Sequence, residues 1–171
     1  MKTKISTIYL LLTFTVITFT GCSQGPAGVD GQNADVYYSE WFSPTAWSGS
    51  AGDWYFSASA PDLSQDVVEN GVVLAYVWLT GDLYNSATVR PLPANVFGAN
   101  WSFLVHQYGS IEFTCDMSTQ PFNAGDKFRF IAIPGSSVAL KTAKLTYKTD
   151  SALLNMPYQE ACKLFKVSKF Q

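Results

Sequence analysis

Histidine is nearly missing from this chain: its 171 residues carry one, His106. No Ser-His-Asp or Cys-His arrangement can exist without it. Placed at a strand end beside a turn, His106 reads as a surface or edge residue and not as a ligand. Glycine is present, but no loop has the spacing that cradles a phosphate. Basic runs are also lacking: eleven Lys and Arg stand against thirteen Asp and Glu. Such a balance leaves no electrostatic footprint for nucleic acid. No long internal repeat occurs, and no second hydrophobic span follows the amino-terminal apolar run.

That amino-terminal run is the first positive signal. Lys2 and Lys4 precede Ile5 to Phe19, an apolar stretch diluted with threonine. It falls short of the about 20 residues of a membrane span, so it reads as a signal peptide. Its end, Phe19-Thr20-Gly21-Cys22, resembles the lipobox of bacterial lipoproteins. The resemblance implies cleavage before Cys22 and lipidation of its sulfur. Two or three acyl chains would hold the protein firmly, because one chain alone binds marginally. With Cys22 spent, one histidine and two cysteines cannot assemble the usual zinc sites.

Three triplets follow with glycine first: Gly25-Pro26-Ala27, Gly28-Val29-Asp30 and Gly31-Gln32-Asn33. This is the collagen rule, but three triplets are too few for a triple helix, and a semi-extended spacer is expected. As polyproline II, residues 23–34 reach roughly 35 Å at about 3.1 Å per residue. Removing the 21-residue leader from 171 leaves 150 residues, the size of one domain. The expected organisation is 1–21 signal peptide, 22–34 lipidated collagen-like tether, 35–149 β-sandwich and 150–171 helical segment.

The sandwich is read from short apolar runs punctuated by Gly, Pro, Asn, Asp and Ser. Residues 35–42 and 53–60 are predicted strands, the second with Trp54, Phe56 and Ala58 on one face. Residues 43–52, carrying Trp47, read as a loop. Within 61–71 a single helical turn is expected, capped by Ser64 and stopped by Gly71. Residues 72–79 are apolar on both faces, as in a central strand. Pro91 and Pro93 confine 87–93 to an edge. Residues 101–106 and 110–115 form a hairpin, and Ile111, Phe113 and Cys115 share a face. Two further strands are expected at 127–133 and 139–147, the latter with Ala143, Leu145 and Tyr147 inward. The class is mostly β, an antiparallel sandwich of jelly-roll or Ig-like type with seven or eight strands. A short terminal helix is predicted from Tyr158, Ala161, Cys162 and Phe165 at helical spacing. Eleven acids and one base, Arg90, lie between Cys22 and Asp126, with eight bases and two acids from Lys127 onward. The simplest account is acidic and basic strands paired in one sheet.

The lipobox and short collagen-like run, with QDVVENGVVLAYVWL, GDKFRFIAIPGS and the closing YQEACKLF, are similar to small collagen-like lipoproteins of Bacteroidetes. That resemblance implies the fold and a lipid-anchored place in the outer membrane or on the cell surface. It implies no activity.

Few residues carry candidate chemistry. Cys115 and Cys162 are either a disulfide closing a loop of 47 residues, worth roughly 3–4 kcal/mol, or two buried thiols. Asp62, Asp66 and Glu69 cluster in one segment, and Asp53, Asp82, Glu112 and Asp116 sit at strand ends. Solvated turn residues are the simplest account of them, with structural calcium the alternative. Of the tryptophans, Trp47 is the best sugar-stacking candidate because it lies in a Ser/Gly loop, whereas Trp54 and Trp78 read as core. Asp150-Ser151-Ala152 resembles an O-glycosylation acceptor of exported Bacteroidetes proteins, with Ser151 the acceptor. The expected function is non-enzymatic and cofactor-free. It is a membrane-anchored surface or envelope lipoprotein with a structural, adhesive or partner-binding sandwich for protein or glycan ligands; the alternative is a carbohydrate-binding module using loop aromatics.

Overall fold

Two antiparallel sheets and a helical layer make up the described chain. A computed structural model describes residues 36–82, 88–146 and 149–167. The expected signal peptide, Cys22 and the expected glycine-triplet tether lie outside those residues. The strands are β1 Tyr37–Tyr38, β2 Ser48–Ser50, β3 Asp53–Ser59, β4 Val72–Trp78, β5 Val89–Pro91, β6 Ala94–Val96, β7 Ala99–Leu104, β8 Ser110–Cys115 and β9 Lys127–Ile133. The helices are α1 Gln65–Asn70, α2 Val138–Thr146, α3 Asp150–Leu154 and α4 Tyr158–Phe165. One sheet runs β1-β9-β4-β5 and the other β2-β3-β8-β7-β6.

The sheets face each other across an aromatic core. Alternation in β3 and β8 turns Phe56, Ile111, Phe113 and Cys115 inward. They meet Ala75, Val77, Phe128 and Phe130 of the opposite sheet. Phe56 and Phe113 each lie edge-on or tilted to Phe128, at 4.9 and 4.8 Å between ring centroids. Such pairs add about 0.5–1.5 kcal/mol to their area burial. The expected cap and stop of α1 are present: Ser64 Oγ accepts from Val67 N, and Gly71 ends the helix.

β4 is apolar on both faces, and both faces of β4 and β9 are covered. Leu74, Tyr76, Ile131 and Ile133 point away from the other sheet into a second core with the helices. From α4 come Tyr158, Ala161, Cys162 and Phe165, the four residues of the predicted stripe. The same layer holds a correction. Residues 138–146 are a helix and not a strand. Ser137 is buried and caps it, accepting from Leu140 N, and Leu140 and Ala143 bury at a spacing of three. In so short a run the apolar residues fit either period, and the outer face of the four-stranded sheet demanded cover. The terminal helical part therefore begins before residue 150, with nine strands ahead of it among the described residues. Lys141, Lys144, Lys163 and Lys166 are exposed on helices α2 and α4 and at the end of α4, not in ladders opposite acidic strands.

The disulfide is a second correction. Both thiols are free and buried, Cys115 in the inter-sheet core and Cys162 in the helical core. The four-stranded sheet stands between these cores, whereas a disulfide needs Cα atoms within about 7 Å.

Among the described residues one basic side chain is buried, that of Arg129, at 1 % exposure. Its Nε donates to Ser39 O at 2.8 Å and its Nη1 to Tyr158 Oη at 2.6 Å. The rings of Tyr38, Trp41 and Tyr158 surround it at 4.9 to 6.0 Å. It pins the first strand to the last helix, which alternation of charged and aromatic residues in 127–133 did not reveal.

Candidate functional site

Loops at one end of the sandwich build a cleft of about 270 Å³, lined by Thr80, Gly81, Phe97, Trp101, Met117, Pro121, Phe122 and Asp126. Two of its walls are phenylalanines that local forces would ordinarily hide. Phe97 and Gly98 form the two-residue turn between β6 and β7, both with positive φ, 59° and 75°. That is the type I′ pattern, for which Asn-Gly is the favoured pair. A non-glycine residue there costs on the order of 1 kcal/mol. Phe97 bears that strain and is still 52 % exposed.

Phe122 is 79 % exposed, and its neighbours explain why it stays so. Gln120 Nε2 donates to Trp47 O at 3.2 Å, and Asn123 Nδ2 donates to Thr45 O at 3.4 Å. Pro121 between them is buried. The loop is thus tied down on both sides of Phe122 while the ring faces solvent. Met117 is held by its backbone, whose carbonyl accepts from Gly52 N and Trp54 Nε1. Trp101 forms the floor, with Nε1 donating to Val96 O at 3.3 Å.

Asp126 supplies the charge. It is buried, its Oδ1 accepts from Thr80 N at 2.8 Å, and burial raises its pKa above the ordinary carboxylate range. Thr80 and Asp126 are the polar side chains of the lining among the described residues.

The residues singled out from sequence do not form this site. Trp47 is a correction: it is 5 % exposed and packs edge-on against Phe56, Trp101 and Phe128. The Ser/Gly stretch after it is a strand, β2, paired with β3 along the sheet edge, and this pairing turns Trp47 inward. Its indole Nε1 is buried with no hydrogen-bond partner among the described residues. Trp54 is half-buried against the core, and Trp78 is half-buried beneath Lys127. His106 is exposed, as its position beside a turn suggested. Ser151 is exposed in the first turn of α3 and not in a hinge.

The acids disperse. Asp82 forms a two-point ion pair with Arg90 at 2.6 and 2.9 Å. Glu112 accepts from Ser57 Oγ, Asp116 from Asn100, and Glu69 from Tyr108 Oη and Gln65. These bonds hold the carboxyls of Asp116 and Glu69 below the usual range. No group of three or more His, Cys, Asp or Glu suited to a metal ion occurs among the described residues.

What the cleft offers is apolar, aromatic and singly charged. Sequence reasoning passed over Phe97 and Phe122 because its search for exposed aromatics was confined to tryptophan. The available signal was Phe97-Gly98, a phenylalanine where a tight hairpin wants asparagine. Compared with protein-family models, with curated proteins and with solved structures, the chain matches none.

Proposed function

We propose that this chain is a lipid-anchored surface or envelope protein of the outer membrane, non-enzymatic, whose sandwich binds a protein partner through the Phe97–Phe122 cleft. The carrying observation is Phe122, 79 % exposed on a loop fastened on both sides, lining one cleft with a strained and exposed Phe97. Exposed aromatics grouped at a rigid cleft are what interaction hot spots are made of. The glycan reading rested on Trp47, which is core. The anchor rests on the lipobox-like Phe19 to Cys22, and no described helix is long and apolar enough to cross a membrane.

Two experiments test this. A photo-crosslinking residue at position 122 of the full chain, expressed in its own cells, is expected to give discrete adducts that Phe97→Ser removes. The same residue at position 57, on the outer face of the five-stranded sheet, is expected to give none. Equal adducts at both positions, or none at 122, overturn the partner-binding reading. Labelled fatty acid is expected in the wild-type chain and not in Cys22→Ser; an unlabelled wild type overturns the anchor.

A further inference from the structure

We infer that the cleft receives the side chain of a lysine presented by the partner, its ammonium beside Asp126 and its aliphatic stem between Phe97 and Phe122. This deepens the partner-binding reading and rests on it. Three features of the lining select the ligand. Its walls are Phe97, Phe122, Trp101, Met117 and Pro121, apolar surface that suits a methylene stem, and the aromatic rings among them favour a cation nearby. Its charge is one buried carboxylate, with no basic side chain in the lining among the described residues. Burial penalises the ionised form of Asp126, and an incoming cation relieves that penalty.

The same lining disfavours the obvious competitors. A sugar brings several hydroxyls, and two polar side chains leave most of them unmet, a heavy penalty in an apolar cleft. A guanidinium prefers a carboxylate with both oxygens free for a fork. Asp126 already accepts from Thr80 N and from the Thr80 side chain, so a point-like ammonium fits better.

The test uses the full chain in detergent micelles, with the Met117 methyl and Trp101 indole NMR signals as readout. The probes are n-butylammonium, 1-butanol, and Nα-acetyl-lysine methylamide with and without an Nε-acetyl group. Saturable shifts are expected with n-butylammonium and the free lysine derivative, and far weaker ones with 1-butanol and the Nε-acetylated form. Asp126→Asn keeps an oxygen for Thr80 N and should weaken n-butylammonium binding about tenfold. Phe122→Ala, at an exposed position, should weaken it roughly threefold without affecting folding. If 1-butanol matches n-butylammonium, or Asp126→Asn binds as wild type, the lysine assignment falls while an apolar partner cleft stands. If no probe shifts either signal, the lysine assignment falls, and the crosslinks at position 122 decide the partner reading separately.

Discussion

Replacing Trp47 separates a core residue from a surface platform, and two substitutions together make the separation sharp. Trp47→Ala removes an indole 5 % exposed, in contact with Phe56 at 4.8 Å, Trp101 at 5.9 Å and Phe128 at 6.1 Å. Lost transfer energy and the cavity left behind give a cost of about 3–5 kcal/mol. The three edge-on ring contacts push it toward the upper end. Trp47→Phe behaves differently. It gives up some volume but deletes an indole N–H that is buried without a partner among the described residues, a group costing about 1–3 kcal/mol. The two effects oppose, and the net change should lie within about 1 kcal/mol of zero. Urea denaturation of the full chain, followed by fluorescence of the remaining tryptophans, measures both. A Trp47→Ala variant as stable as wild type would refute the burial. A Trp47→Phe variant as damaged as Trp47→Ala would show that the indole N–H is bonded.

Cys115 should resist alkylation: burial is the main cause that pushes its thiol up to about 11. At pH 8 about one thiol in a thousand is then ionised, against about one in four for an ordinary cysteine. Iodoacetamide followed by mass spectrometry should label it only in urea, and rapid native labelling would contradict the placement. Asp126 has its folded-state pKa raised, so its contribution is fully present below the ordinary carboxylate pKa and is lost as pH rises through the folded value. Relative to Asp126→Asn, the wild type should therefore gain stability between pH 7 and pH 4 in urea titrations; a constant difference would refute this. Gly71→Ala should cost more than about 2 kcal/mol, because the added methyl meets Ile133 O and Val67 O at the end of α1. Thermal melting measures it, and an unchanged midpoint would show that the backbone there yields.

Local patterns were legible wherever one short-range rule sufficed. Alternation placed Phe56, Ile111, Phe113 and Cys115 on inner faces. Unbroken apolarity identified β4 as central, helical spacing found the buried face of α4, and Ser64 and Gly71 bounded α1. These features depend on backbone geometry repeating every two or 3.6 residues, which a chain carries in its own order.

Long-range placement was not legible. Residues 138–146 fit both periods, and only the bare apolar face of the four-stranded sheet, needing cover, made them a helix. Trp47 sits in a Ser/Gly stretch whose strand character comes from its partner β3, not from itself. Cys115 and Cys162 both face inward, but toward different interiors, and a sequence cannot say that a domain has two. The cleft joins residue 80 to residues 97, 101, 117, 122 and 126 through three separate loops and strand β7. The chain by itself determined β3, β4, β8, α1 and α4 with their inward faces, and it carries the lipobox-like Phe19 to Cys22. The tertiary structure alone decided which interior each face met and which aromatics remained outside, because burial is a property of what packs against a residue.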